Sequence, residues 1–504
     1  MRNRALPALA CVAFLAACVP QNHDDPSVDA GPVALPCPEP ALMDRLSMDG
    51  AREAFRWRGL QREARLHDEV EPGWLLRRTR ERLPDRDVAE GRVCPTELAT
   101  AGRLLFEHEF TRDEGLGHGA HDGTNPFRRV HAGERGGPDT TTCASCHWRG
   151  GPLGAGAVTD NSYLLGDGDD VTSADARNPP ALLGAGWAQT VAEEMSAELQ
   201  SIRDAAVQEA RVSGVAVARM LGAKGIPFGV ITARADGTVD TSGLDGVDAD
   251  LVVKPFGWKG TFTTLREFIT GSLHVHFGIQ SDALGNGPDP DEDGVTHEFT
   301  DGQLTALTAY VGLAETPIVR APDPLPPLGP PATNLPAPVP RDYTDEFALG
   351  YALFDSIGCT SCHVPVVFLR DPVLRIASTH GTLEINLARY AQSPRPAYDP
   401  AAAGYAVWAF SDFKRHDLGP EAASLHVDRG VDRSTYLTRR LWGLANSGPW
   451  FYDGRAASFD AAIEAHGGEA ADARDAFRAL SFDQQGALRV FLISLVRERA
   501  VHVP

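Results

Sequence analysis

Cys143-Ala144-Ser145-Cys146-His147 and Cys359-Thr360-Ser361-Cys362-His363 repeat one pattern: two thiols separated by two residues, with a histidine directly behind the second. Thiols at this spacing can each add to a vinyl group on one edge of the same porphyrin, and the adjacent histidine then reaches the iron as an axial ligand. The rival reading, a pair of zinc or disulfide dithiols, has no use for a histidine at the fifth position in both copies. With 8 cysteines and 16 histidines among 504 residues, one accidental match is expected in about 0.4% of such chains. Two matches predict two covalently bound haem c groups, one on Cys143, Cys146 and His147 and one on Cys359, Cys362 and His363.

The segments around the motifs share a plan. An apolar helical period carrying Leu98, Leu104, Leu105 and Phe106 begins near Thr96 and runs toward the first motif; a helix near Tyr343 to Ser356 leads straight into the second. Between them the pattern predicts a long helix from about Ala188 to Leu221. A hairpin follows, with strands Gly229 to Ala233 and Leu251 to Val253, and then helices near 262–273 and 301–313. An amphipathic helix from about Phe482 to Arg497 closes the chain. Prolines recur through 321–340 and favour an extended polyproline linker. The expected fold is therefore mainly α: two cytochrome c-like haem domains, 96–320 and 341–504, with long irregular loops and a small β-hairpin insertion.

Fifty glycines and 37 prolines fit a chain that wraps a cofactor in irregular backbone. The formal charge of −21 repels nucleic acid and anionic membrane, so neither is an expected partner. Arg2 and Arg4 precede a short apolar run ending in Leu15-Ala16-Ala17-Cys18. That tetrapeptide resembles a bacterial lipoprotein cleavage box, and a plain secretory signal is the alternative. Residues 1–18 are thus expected to direct export to the periplasm or cell surface of a bacterium, with a lipid on Cys18 as the membrane attachment. Residues 19–95 are read as an N-terminal extension, in which Cys37 could pair with Cys94 in an oxidising compartment.

The second half carries a resemblance. Trp442-Gly443-Leu444, Asp453-Gly454-Arg455-Ala456 and the run from Ala462 to Ala470 are similar to the di-haem oxidoreductases sometimes called thiol oxidoreductases, relatives of bacterial di-haem cytochrome c peroxidases. Asp412 to Gly419 and Phe256-Gly257-Trp258-Lys259 also resemble blocks of that family. The resemblance implies that His466 ligates the second haem opposite His363, where the peroxidases use methionine. Tyr452, standing where relatives carry histidine before Asp-Gly, is the reserve ligand. It also implies a carboxylate near an open iron at the first haem, for which Glu193 and Glu194 are the candidates, although Gln189 sits where relatives often have an acid. Calcium is a further implied cofactor, and Asp289, Asp291 and Asp293 form an Asp-x-Asp-x-Asp-Gly loop with Glu298 close by. Thr300 replaces the glutamate that would complete that loop.

Five further residues are singled out. His274 and His276 share a face only in extended backbone, and His276 is the preferred group at the first haem, as ligand or hydrogen-bond partner. Trp187 and Trp148 are the candidates for an aromatic bridge between haems. His416 is expected to orient a loop over the second haem.

These readings converge on an oxidoreductase of peroxidase type. A small redox protein or other donor supplies electrons to the C-terminal haem, and peroxide reacts at the N-terminal haem. Two rivals stand beside it: a dioxygen-using enzyme resembling rubber oxygenases, and a non-catalytic di-haem electron carrier.

Overall fold

Cys94, in extended conformation, precedes a helix that opens on Pro95, and the Glu97 carboxylate turns back to accept the Cys94 N–H at 3.2 Å. Proline's fixed φ and missing N–H suit this first position. The result is α1 (Pro95–Glu107). The computed structural model in which it is seen describes residues 73–117, 130–133, 138–284, 293–320 and 343–497. The expected export segment, the expected anchor at Cys18, Cys37 and the expected linker at 321–340 lie outside the described residues. Cys94 is disulfide-bonded, and the other described cysteines, the four of the two motifs, are free thiols.

Five more helices position the motifs: α2 (Ala185–Ser213), α3 (Leu265–Phe277), α4 (Asp301–Gly312), α5 (Thr344–Ser356) and α6 (Phe482–Ile493). Thr300 with Gln303, and Ser481 with Gln484, cap α4 and α6 reciprocally, each side chain satisfying an otherwise orphaned N–H. α1 crosses α4, and α5 crosses α6, in matching fashion. An added Cβ would stand 2.0 Å from the Ala306 carbonyl oxygen at Gly102 and 2.0 Å from that of Ala487 at Gly350. Only glycine allows helix backbones to touch this closely. One turn further on, Phe106 meets Tyr310 at 5.5 Å and Phe354 meets Phe491 at 5.1 Å between ring centres. The same phenylalanines lie 6.2 Å from the His147 ring and 6.3 Å from the His363 ring. Each motif histidine is thus seated against the same corner of a duplicated helix crossing.

The expectation of a mainly α fold is overturned: 40% of the structure is helical and 19% is strand, distributed over several small sheets, so the class is mixed rather than a pair of cytochrome c-like helical domains. One sheet is the insertion after α2. It has three antiparallel strands, β1 (Val217–Ala223), β2 (Ile226–Ala233) and β3 (Val239–Leu244), with β2 central. The predicted helix to Leu221 ends instead at Ser213, because Gly214 turns left-handed at φ 73°. Leu251 to Val253 is not a strand; the Val253 N–H bonds the Ser196 hydroxyl on α2. A second hairpin, β4 (Val373–Ser378) and β5 (Gly381–Asn386), buries Leu374, Ile376, Leu383 and Ile385 at every other position. Strands this short give little periodicity to read, and their turn-rich surroundings pass for loop.

The principal core joins these β4 and β5 residues to α1, α2 and α4, while a smaller aromatic core, Phe347, Phe354, Phe410 and Phe491 among its members, packs beneath the second motif.

Candidate functional site

The short turn Cys359–Ser361 follows α5 after a left-handed Gly358 at φ 93°, and it presents His363 to a cavity of about 470 Å³, within the ~300–1,000 Å³ typical of small-molecule sites. Cys359, Cys362, His363 and His466 all line this cavity, with Phe354, Ile357 and Leu488 among its apolar walls. His363 donates its Nδ1–H to the Phe410 carbonyl at 2.9 Å, and His466 donates its own to the Ala462 carbonyl at 2.7 Å. Each ring is therefore fixed in the tautomer whose Nε2 carries a lone pair. Burial pushes His363 down to about 4 and lowers His466, so both rings are held in the neutral form that binds metal. Their ring centres are 6.4 Å apart. Two collinear metal–imidazole bonds of ~2.0 Å, each continued about 1.1 Å to a ring centre, span roughly the same length. The donor set, the two free thiols and the apolar walls fit a haem c with two histidine ligands.

Tyr452 also lines the cavity, but its hydroxyl takes a hydrogen bond from Arg455 and its ring stacks on Tyr436 at 4.7 Å. His416 spends both nitrogens on carboxylates, Nε2 on Asp412 at 2.8 Å and Nδ1 on Glu469 at 2.7 Å. Burial opposes its charge, yet Asp412 and the Cys362 sulfur outweigh that and raise it to about 11. The Cys362, Asp412 and His416 donor atoms lie within 4.8 Å of one another. A thioether on Cys362 would withdraw one of the three, and both His416 nitrogens are bonded to carboxylates.

At the first motif the Thr142 hydroxyl accepts the Ala144 N–H at 3.3 Å, starting the turn Cys143–Cys146. Burial drives the Cys143 thiol up to about 12 and His147 down to about 4. His147 donates Nδ1–H to the Gly154 carbonyl at 3.2 Å, repeating the arrangement at His363. His276 acts on His147 electrostatically, as His466 does on His363.

The backbone at His274 and His276 is helical, so the two do not share a face. Thr264 caps α3 and a left-handed Gly278 ends it, so His274 and His276 sit in its last helical turn and point to different sides. His276 Nδ1 bonds Asp139 Oδ2 at 2.8 Å. The same carboxylate accepts from His131 Nε2 at 2.9 Å and from the Ser162 hydroxyl at 2.9 Å. Burial alone would raise Asp139, but the two histidines hold it well below the usual carboxylate range.

Other predicted residues are placed elsewhere. Glu194 accepts the N–H groups of Arg370 and Asp371 and pairs with Lys224. Glu193 takes a hydrogen bond from Gln189 at 2.8 Å, and burial raises its pKa. Both carboxylates thus serve α2 and the 370–371 turn rather than the His147 segment. Trp187 is wholly buried in the principal core, 5.9 Å from the Tyr405 ring, and is not among the cavity walls. Trp148 is half exposed and donates to Asp160. Asp289 and Asp291 lie outside the described residues; Asp293 accepts the Val295 N–H, and the buried Glu298 turns inward to the Gln280 N–H.

Sequence reading missed Asp139, His131 and Ser162, which come from a glycine-rich stretch with no periodic signal. It also missed Trp258, Arg439 and Arg440 as cavity walls. A charged doublet inside the otherwise apolar Tyr436-Leu437-Thr438-Arg439-Arg440-Leu441-Trp442 was the available sign.

No curated protein matches the chain. Residues 330–495 match the model of the family described as "Di-haem oxidoreductase, putative peroxidase". That span contains the second motif, His466 and the whole loop that carries Arg439 and Arg440, and over it the chain is similar to that di-haem oxidoreductase family.

Proposed function

We propose that the protein is an exported, lipid-anchored di-haem c oxidoreductase of peroxidase type. Electrons from a small redox protein enter at the C-terminal site and are used on peroxide at the N-terminal site. The observation that carries this reading is the contrast between the two sites. His363 and His466 face each other at 6.4 Å with both Nδ1 atoms tied to backbone carbonyls, so the pair would hold a haem iron from both sides, which suits electron passage. At the other site, His276 is oriented by a buried carboxylate. When bound, haem supplies one-electron redox chemistry at its iron.

Cys143 and Cys146, with Cys359 and Cys362, would form the thioethers, and His147 and His363 would hold the iron from the motif side. Asp139 holds the His276 Nδ1–H, so that Nε2 is left as the proton acceptor. His276 Nε2 takes a proton from the incoming peroxide and returns it to the departing oxygen, the role that sequence reading sought in Glu193 and Glu194.

Purified protein, fully oxidised and then half-reduced, is mixed with hydrogen peroxide while peroxide loss and the optical spectrum are followed. Peroxide consumption coupled to haem oxidation is expected, falling by about 10²-fold or more in His276→Gln. No peroxide loss and no cyanide binding in either redox state would instead identify a carrier. Turnover of dioxygen in place of peroxide would identify an oxygenase.

A further inference from the structure

Arg439 and Arg440, both half-buried, stand apart from the other guanidiniums withdrawn from water. The buried guanidiniums of Arg266, Arg497 and Arg177 each meet a carboxylate, on Asp301, Glu315 and Asp175 respectively. Burial lowers Arg439 to about 10 and Arg440 well below its usual value, and no carboxylate counters it at either residue. The other charge acting on Arg440 is Arg439, which repels it.

Both line the cavity of His363 and His466. Aromatic faces hold both groups in place. Arg439 lies 4.8 Å from the Trp258 ring centre; Arg440 lies 5.4 Å from that of Trp442 and donates Nη1 to the Pro255 carbonyl at 2.9 Å. The loop itself is pinned on both sides, by the Thr438 N–H to the Lys414 carbonyl and the Leu441 N–H to the Ala409 carbonyl. The carboxylates on the cavity wall belong to other partners or elements: Glu469 is taken by His416, and Asp472 opens the helix Ala471–Ala479. Two guanidiniums offer ten N–H donors, and most of these are unused. Two neighbouring positive charges largely withdrawn from water are stabilised when anions join them.

We infer that Arg439 and Arg440 are the carboxylate-binding end of this cavity and hold the two propionates of the haem attached at Cys359 and Cys362. The inference rests on the haem reading of that cavity and adds to it which residues neutralise the cofactor's charge. Arg439 and Arg440 here are binding residues that set the electrostatics of the site.

The test uses the holoprotein with Arg439→Gln, Arg440→Gln, the double variant, and Arg439→Lys and Arg440→Lys as charge-keeping controls. Covalent haem content is measured by mass spectrometry, and the midpoint potential of the low-spin haem is followed from acidic to alkaline pH. Loss of a neighbouring cation favours the oxidised haem, so the Gln variants shift to lower potential. The propionates also become easier to protonate, so the pH at which the potential starts to change moves upward. The Lys variants restore part of both shifts. Gln variants that keep both haems and give potential–pH curves superimposable on the parent's overturn the inference. Succinate binding that is lost in the Gln variants while those curves stay fixed overturns it too, in favour of a free dicarboxylate. A parent protein without covalent haem defeats the haem reading itself, and this inference with it.

Discussion

His466 illustrates how a single side chain sets the behaviour of a site. His466→Ala leaves the His363 side in place and opens the opposite one. The reduced variant should bind one more carbon monoxide per chain than the parent, measured by difference spectroscopy. His466→Met should keep six-coordination but raise the midpoint potential, because a thioether favours the reduced iron relative to a second imidazole. Asp139 is the corresponding lever at the other motif. Its two oxygens serve His131, His276 and Ser162, whereas asparagine has one acceptor oxygen and cannot satisfy both rings in the same way. Asp139→Asn should therefore cut peroxide turnover by about 10–100-fold and displace the pH–rate profile, which a purely structural role would not do. At this scale the sequence was legible where chemistry is local: five consecutive residues declare each motif. Asp139 could not be read because its partner His276 is brought to it by the fold alone.

At the scale of elements, the duplicated crossing of α1 over α4 and α5 over α6 makes a sharp prediction about glycine. Gly102→Ala and Gly350→Ala place a methyl group 2.0 Å from a backbone carbonyl oxygen that cannot step aside. Each should destabilise by about 1–3 kcal/mol or more, read as a lower urea midpoint with unchanged slope. Gly486, one residue before the crossing point on α6, has nothing within 4 Å of an added Cβ. Gly486→Ala should be neutral or stabilising by about 0.4–1 kcal/mol. Helix positions were readable from apolar periods such as Leu98, Leu104, Leu105 and Phe106 on one side. The strand expected at Gly229 to Ala233 lies within β2, but β4 and β5 were not readable, since each is six residues long and alternates burial over too few positions to stand out. Gly214 shows the opposite error: an Ala- and Val-rich run on both sides of it reads as one helix, and a single left-handed residue divides it into helix and strand.

For the whole molecule, acid should be the weak side. Burial would raise Glu114, Asp139 and Asp301, but hydrogen-bonded partners, His108 for Glu114, His131 and His276 for Asp139 and Thr379 with Arg266 for Asp301, leave all three depressed. A carboxylate with a depressed folded pKa contributes stability that is fully present above its unfolded value, ~3.9 for Asp and ~4.3 for Glu, and loses it as pH falls toward the folded value. The urea midpoint should hold from neutral pH to about 5 and drop steeply below about 4, with Asp301→Asn less stable near neutrality and flatter in acid. The segment that begins at Asn178 has a different consequence at this scale. Asn178, Pro179, Pro180 and Ala181 form part of the cavity around His363 and His466, while the Pro180 carbonyl also acts on His147. Asn178 is bonded through its N–H to the Tyr452 carbonyl and through its own carbonyl to the Trp258 indole. One short stretch of backbone is thus a wall of one histidine site and a neighbour of the other, so no hinge is left between them. Electron exchange between the two should then be indifferent to solvent viscosity, and adding glycerol should slow encounter with the external donor while leaving the internal step at its original rate.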